Sequence, residues 1–172
     1  MKINIKWVIE ITIIAFLITV LFSLGSQLIL DNINIVVGIL IILLFILLGV
    51  VTDIIGVSVQ SSDTVPFHAM ASKKIKSAKQ AKKMINNAAK VSSFFCDVVG
   101  DVCNIITGSA GVIISSKIAI QYGLNVTITV LLISSLIAAL TIGGKALGKT
   151  IAINNSEKIV HILSHYMHKL KK

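Results

Sequence analysis

The chain has 172 residues, of which 55% are hydrophobic and 13% charged, and its mean hydropathy is +0.95. Soluble proteins carry about 25% charged residues, so this composition excludes a cytosolic enzyme, a disulfide-stabilised scaffold and a disordered chain. Several apolar runs exceed the roughly 18 residues that a helix needs to cross a bilayer. The composition therefore predicts an all-α, polytopic membrane protein, and no catalytic motif indicates an enzyme.

Four predicted spans follow one another along the chain. They run from about Trp7 to Leu30, from Ile33 to about Val59, from about Val91 to Ile120 and from Leu124 to about Leu140. The first is an extra N-terminal transmembrane helix within residues 1–33, because its apolar core is too long for a signal peptide. A core domain at 34–152 and a basic amphipathic tail at 153–172 follow it.

The basic residues are distributed unevenly about these spans. All 16 are lysines, the net charge is +9, and 15 of them lie on one side of the predicted spans. By the positive-inside rule, this asymmetry predicts a multi-pass protein of the cell membrane with both termini in the cytoplasm. Because the rule accounts for the charge, no nucleic-acid partner is expected.

The connection between the second and third spans predicts interfacial helix at about 66–90. Pro66 suits a first helical turn after a cap at Asp63 or Thr64. Apolar residues then recur every three or four positions from Ile75 to Ala88. This helix is expected to lie on anionic lipid headgroups, which it contacts through Lys73, Lys74, Lys76, Lys79, Lys82 and Lys83. The tail predicts a similar surface helix with an apolar stripe of Ile159, Leu163, Tyr166, Met167 and Leu170.

Three aspartates lie within the predicted spans, where each costs about 2.5–3.5 kcal/mol to insert. Asp53 belongs to the second span, and Asp97 and Asp101 belong to the third. Asp97, Asp101 and Asn104 share one helix face. Gly100 lies beside them and allows another helix to approach closely. Such groups are rarely placed in a span without a functional reason.

These polar groups are predicted to converge at one depth. Counted from the cytoplasmic ends of their spans, Asp53 and Asp101 each lie eight residues in, or about 12 Å deep. Hard cations take oxygen ligands, and Mg²⁺ accepts one or two carboxylates while it keeps some water. The sequence therefore predicts a cation site for Mg²⁺, without an organic cofactor, formed by Asp53, Asp97, Gly100, Asp101, Asn104, Gly143 and Gly144.

The aspartates are also compatible with roles that do not involve a cation. A carboxyl in a span can be protonated, can hydrogen-bond a neighbouring helix or can pair with Lys145. Two further functions are compatible with the same scaffold. One is a proton-coupled carrier of small solutes, and the other is a non-transporting interaction or regulatory protein with a separate membrane partner.

Three stretches of the chain follow an order known from one family. They are Ala81–Ala88 in the basic connection, Val99–Ile105 in the third span, and Gly144–Lys158 after the fourth. Together they resemble the transmembrane domain of the CNNM/CorC magnesium transporters, without the CBS regulatory domains. The resemblance implies a homodimer with a basic belt helix and an Mg²⁺ ion held between three helices. Carried over by residue, it implies a site at Gly100, Asp101 and Gly143 or Gly144, with Asp53 where the family uses Ser.

Overall fold

The described part of the chain is built from helices and contains no β-strand. The computed structural model describes residues 5–30, 33–72 and 77–170. In chain order the elements are α1 (Ile5–Leu30), α2 (Ile35–Ser61), α3 (Val65–Ser72), α4 (Ala78–Asn86), α5 (Ala88–Ser93), a π-helical segment (Phe94–Gly100), α6 (Asp101–Gln121), α7 (Val126–Asn154) and α8 (Ser156–Leu170). The predicted all-α fold is therefore confirmed.

Four candidate membrane spans account for most of the helical residues. Within the described residues, four stretches are long and apolar enough to cross a membrane, namely Ile5–Gly25, Ile35–Ser61, Ala88–Gln121 and Val126–Asn154. A helix satisfies its backbone hydrogen bonds internally, as the interior of a bilayer requires. Helix α7, which is the fourth span, continues to Asn154, well past its predicted end near Leu140. Apolar residues still recur at helical spacing among the glycines and lysines that follow Leu140.

The central helix of the bundle is α2, which packs against α6 and α7. Its buried face includes Gly38, Ile42, Gly49, Asp53 and Gly56. The glycines let α6 and the π-helical segment approach closely. A Cβ added at Gly49 would lie 3.5 Å from Cys103 Cβ, and one added at Gly56 would overlap Cys96 Sγ. Helix α1 lies against α6, and its span is not buried in the bundle.

The remaining helices gather where α2 and α7 end and α5 begins. We name this part of the bundle the lysine-rich end, after its lysines among the described residues, namely Lys6, Lys79, Lys82, Lys83, Lys90, Lys149, Lys158 and Lys169. At the start of α3 the Asp63 carboxylate accepts a hydrogen bond from the Val65 backbone N–H at 3.4 Å. Asp63 therefore forms a side-chain turn just before α3, and the Thr64 carbonyl accepts the first helical hydrogen bond, from the His68 N–H at 3.1 Å. Pro66 lies in the first helical turn.

The apolar stripe of α4 faces protein. Ala81, Met84 and Ile85 are buried in one cluster with Val59, Phe67 and Val160. The structure therefore corrects the expected environment of this stripe, because α8 and α3, with the end of α2, cover the face that was predicted to meet the headgroup layer. The predicted lipid-binding lysines Lys79, Lys82 and Lys83 are exposed, whereas Lys73, Lys74 and Lys76 lie outside the described residues.

Helix α8 is rotated relative to its predicted stripe. Its buried face carries Ser156, Val160 and Ser164, which are spaced four residues apart and meet α2 and α4. Tyr166 and Met167, predicted as part of the apolar face, are exposed. Leu163 of the predicted stripe is partly buried against the same cluster as Val160, so the stripe is covered in part.

Candidate functional site

Asp53 is buried where α2 meets the other spans, with 4% of its surface exposed. Gly100, the last residue of the π-helical segment, faces it. A Cβ added at Gly100 would lie 3.8 Å from Asp53 Oδ1 and 3.4 Å from Thr52 Oγ1. Gly100 therefore lies in the first layer of residues around the Asp53 carboxylate, at ordinary van der Waals distance.

The π-helical segment positions the other two aspartates. It carries Asp97 and ends at Gly100, so that Asp101 begins α6. Such segments are rare and are frequent at functional sites. Asp97 and Asp101 are both exposed, and Asn104 donates a hydrogen bond from Nδ2 to Asp101 Oδ1 at 3.2 Å. Of the three residues predicted to share a face, Asn104 thus orients Asp101, while Asp97 stands nearer the lysine-rich end.

Two lysines of α7 reach these aspartates because α7 approaches α2 closely. A Cβ added at Gly144 would lie 2.9 Å from Val50 Cγ2, and one added at Gly148 would lie 3.0 Å from Ile54 Cγ1. Ser58 Oγ also donates a hydrogen bond to the Ala152 carbonyl at 3.4 Å. This contact holds the end of α7 against α2 and brings Lys145 and Lys149 to the level of Asp53.

The ammonium of Lys145 lies between two carboxylates that come from different helices. Its Nζ is 3.8 Å from Asp53 Oδ1 and 3.7 Å from Asp101 Oδ1. Lys149 Nζ lies 3.9 Å from the other oxygen of Asp53. These distances exceed the roughly 2.7–2.9 Å of a direct charge-assisted hydrogen bond. The charges therefore balance one another as ion pairs without direct hydrogen bonds, and a small rearrangement would bring them into contact.

The two carboxylates differ in burial. The side chains of Asp53 and Lys145 are 5% and 17% exposed, whereas that of Asp101 is 62% exposed. Asp53 Oδ2 is buried and accepts no hydrogen bond within the described part of the chain. Buried polar atoms normally have such a partner, and leaving one without it costs about 1–3 kcal/mol. Asp53 therefore has an unused acceptor position in the interior of the site.

These groups line a cavity of about 460 Å³ that extends to Gln60 and Ala89 at the lysine-rich end. Liquid water occupies about 30 Å³ per molecule, so this volume is large enough for a hydrated ion. Three aspartates and two lysines line the cavity, which leaves one formal negative charge in excess. Ser92, which donates a hydrogen bond to Gln60 Oε1 at 3.0 Å, adds a hydroxyl to its wall.

The structure corrects the role predicted for Gly143 and Gly144 as members of the cation site. Gly143 is exposed, and a Cβ added there would meet no atom within 4 Å. Gly144 packs against α2, and neither glycine lines the cavity. Neighbouring residues of a helix point about 100° apart. Helix α7 is oriented about its axis so that Gly144 and Gly148 face α2. In this orientation Lys145 and Lys149 point to the aspartates and Gly143 points away from the bundle.

The site thus combines predicted and unpredicted residues. The structure brings Asp53, Gly100 and Asp101 together, but around an ammonium. No group of three or more His, Cys, Asp or Glu side chains that could hold a metal occurs among the described residues. Sequence reasoning missed Lys149, Gln60 and Ser92. For Lys149 a signal existed, because it follows Lys145 by one helical turn and shares its face.

Fold and site define the class of the protein as an all-α, multi-pass membrane protein with a charged cavity inside its bundle. Comparisons of the chain with protein-family models, with curated proteins and with solved structures find no match. The resemblance to the CNNM/CorC transporters, and the homodimer that it implies, therefore stay predictions.

Proposed function

We propose that this protein binds and transports a divalent cation, with Mg²⁺ as the favoured ion and with Asp53 and Asp101 as its anionic ligands. The observation that carries this proposal is the position of the Lys145 ammonium. It stands within 3.8 Å of carboxylates from two different helices. A point that holds one cation between two carboxylates is suited by charge to hold another.

The chemistry of the cavity wall supports a hard cation. Mg²⁺ sites in proteins use one or two carboxylates and retain several waters at about 2.0–2.1 Å. Asp53 and Asp101 supply the carboxylates, and Gln60 and Ser92 supply oxygens that can hydrogen-bond the waters of the ion. Cys96 is the one soft donor among the residues described as lining the cavity. A thiol alone does not make a zinc or copper site.

The location of the cavity supports transport in addition to binding. Ionisable residues inside spans are costly, and they mark ion or proton pathways in membrane proteins. The proposed orientation places the lysine-rich end in the cytoplasm, because lysine-rich segments stay on that side. The cavity reaches this end through Gln60 and Ala89. In this orientation the ion exchanges between the Asp53 level and the cytoplasm.

Calorimetric titration of the purified protein with Mg²⁺, Mn²⁺ and Ca²⁺ tests this function. We expect Mg²⁺ binding that weakens about tenfold in Asp101→Asn, because this exposed ligand loses its charge and about 1.4 kcal/mol of binding free energy. Asp63→Asn is the matched control, since Asp63 is exposed and outside the cavity, and it should leave the affinity unchanged. No Mg²⁺ binding by the folded wild-type protein, or equal affinities in the two variants, would contradict the proposal.

The two cysteines of the chain provide a test of the water-filled cavity and of the orientation. Cys96 lines the cavity, whereas Cys103 is 6% exposed and does not. A charged thiol reagent should label Cys103→Ala, which retains Cys96, at least about tenfold faster than Cys96→Ala. Labelling should occur in inverted vesicles and not in right-side-out vesicles. Equal rates in the two variants would argue against an accessible cavity, and the opposite sidedness would reverse the orientation.

A second candidate function is a proton-coupled carrier of small solutes. The specific observation in its favour is Asp53 Oδ2, a buried carboxylate oxygen that accepts no hydrogen bond from the described residues. Ionisable side chains inside spans also mark proton relays in membrane proteins. Proteoliposomes separate the two candidates. A carrier of this kind takes up solute when a pH gradient is applied and does not need Mg²⁺, whereas the proposed cation transporter moves Mg²⁺ without such a gradient.

A further inference from the structure

We propose that Lys145 is a built-in competitor of the transported cation. Its ammonium occupies the point between Asp53 and Asp101, and the ion binds there only when the ammonium withdraws. This inference rests on the proposed function, whose carboxylate ligands it shares. It adds a residue on α7 that sets the affinity of the site and links ion binding to the position of α7.

The geometry distinguishes Lys145 from the other lysine of the cavity. Lys145 Nζ lies within 3.8 Å of both carboxylates, and its side chain is 17% exposed. Lys149 Nζ approaches Asp53 alone, at 3.9 Å, and its side chain is 56% exposed. The Lys145 ammonium therefore lies where an ion bridging the two carboxylates would lie, whereas the Lys149 ammonium lies to one side of Asp53. The ammonium and the ion cannot share that point, because like charges a few ångströms apart repel strongly.

A competing ammonium solves a problem that a buried carboxylate creates for transport. When the ion leaves, the buried Asp53 carboxylate would keep only the exposed Lys149 ammonium as a counter-charge, and an incompletely compensated charge in the interior is unfavourable. The ammonium of Lys145 takes over the charge balance at that moment. It also lowers the apparent affinity for the ion, and an ion pathway needs binding weak enough for release. One side chain thus stabilises the ion-free state and promotes release.

The ammonium has room to withdraw. Lysine carries its charge on a flexible four-carbon stem. The cavity continues from the Asp53 level past Asp97 to Gln60 and Ala89. Asp97 is exposed and lines this continuation, so it offers a second negative charge nearer the lysine-rich end. We infer that an arriving divalent ion moves the Lys145 ammonium outward along this wall.

The test compares Mg²⁺ affinity in the wild-type protein and in Lys145→Met, which keeps an unbranched side chain, shorter by one atom, and removes its charge. We expect Lys145→Met to bind Mg²⁺ at least tenfold more tightly than wild type, and Lys145→Arg to bind no more tightly than wild type. Lys158→Met is the matched control, because Lys158 is exposed on α8 and does not line the cavity. It removes one positive charge from the same end, and it should change the affinity less than twofold.

A second measurement uses the wild-type protein and does not depend on the folding of a variant. Acetylation of Lys145 by a water-soluble amine reagent, followed by mass spectrometry, should speed up at least threefold when Mg²⁺ is added. Lys158 in the same sample serves as the internal reference.

The outcomes separate this inference from the proposed function. If wild type binds Mg²⁺ while Lys145→Met binds it equally or more weakly, the inference is wrong and the function stands. An acetylation rate of Lys145 that falls or stays constant when Mg²⁺ binds also means that the inference is wrong and the function stands. If neither wild type nor folded Lys145→Met binds Mg²⁺, both fail. If only Lys145→Met binds, the proposed function fails for the wild-type protein, and the inference that rests on it fails as well.

Discussion

Replacing Asp53 with asparagine is expected to weaken Mg²⁺ binding at least 100-fold, or by about 2.7 kcal/mol. The substitution keeps the shape of the side chain and one oxygen, and it removes the charge. Asp53 is the buried member of the two carboxylates, so its interaction with an ion is poorly screened by solvent. The loss should therefore exceed the roughly tenfold effect of Asp101→Asn. Calorimetry and Mg²⁺ flux into proteoliposomes measure it.

Two further variants distinguish charge from position at this residue. Asp53→Glu keeps the charge but moves the carboxylate by the length of one methylene group. We expect its affinity to lie between those of wild type and Asp53→Asn, because ligand geometry for Mg²⁺ is strict. Asp63→Asn again controls for the loss of one negative charge. An Asp53→Asn protein that is folded and binds Mg²⁺ within threefold of wild type would refute the assigned ligand.

The depth of the acidic residues was predictable from the sequence for a simple reason. The rise of an α-helix per residue is constant, so counting from the ends of the spans placed Asp53 and Asp101 at one level. The structure brings both within reach of one ammonium. The π-helical segment before Asp101 did not disturb this count enough to separate them. It has no signal in composition, because its residues are ordinary apolar ones with a single Asp97.

The rotation of the helices was not predictable in the same way. Gly143 and Gly144 are neighbours in a polar stretch, and either could have faced the aspartates. Contact of Gly144 and Gly148 with Val50 and Ile54 decided the matter, and it is a property of two packed surfaces. The same limit explains α4, whose apolar periodicity was correct. Periodicity identifies a face of a helix, but it does not say whether lipid or α8 covers that face.

The second large effect is expected in stability, from the interaction between Asp53 and Lys145. Removing one partner of a buried ion pair costs about 3–5 kcal/mol when the other charge is left alone. Here Lys149 and Asp101 remain as partial substitutes, so we expect each of Asp53→Leu and Lys145→Met to cost about 1–3 kcal/mol. The double variant should lose less than the sum of the two, because the charges that remain, on Lys149 and Asp101, are more than half exposed and no buried charge is left unpaired. Unfolding by SDS in mixed micelles measures the three free energies.

The non-additivity of this cycle is the decisive quantity. We expect a coupling of about 1–2 kcal/mol between Asp53 and Lys145, within the range for residues in direct contact. The control cycle combines Asp63→Asn with Lys117→Met. These residues lie at opposite ends of α2, since Lys117 Nζ donates to the Ile33 carbonyl at 3.2 Å and Asp63 follows Ser61. Their effects should add within about 0.5 kcal/mol. Additive effects of the Asp53 and Lys145 substitutions would mean that the two charges do not hold each other in the membrane-spanning bundle, and the competition between Lys145 and an ion would lose its energetic basis.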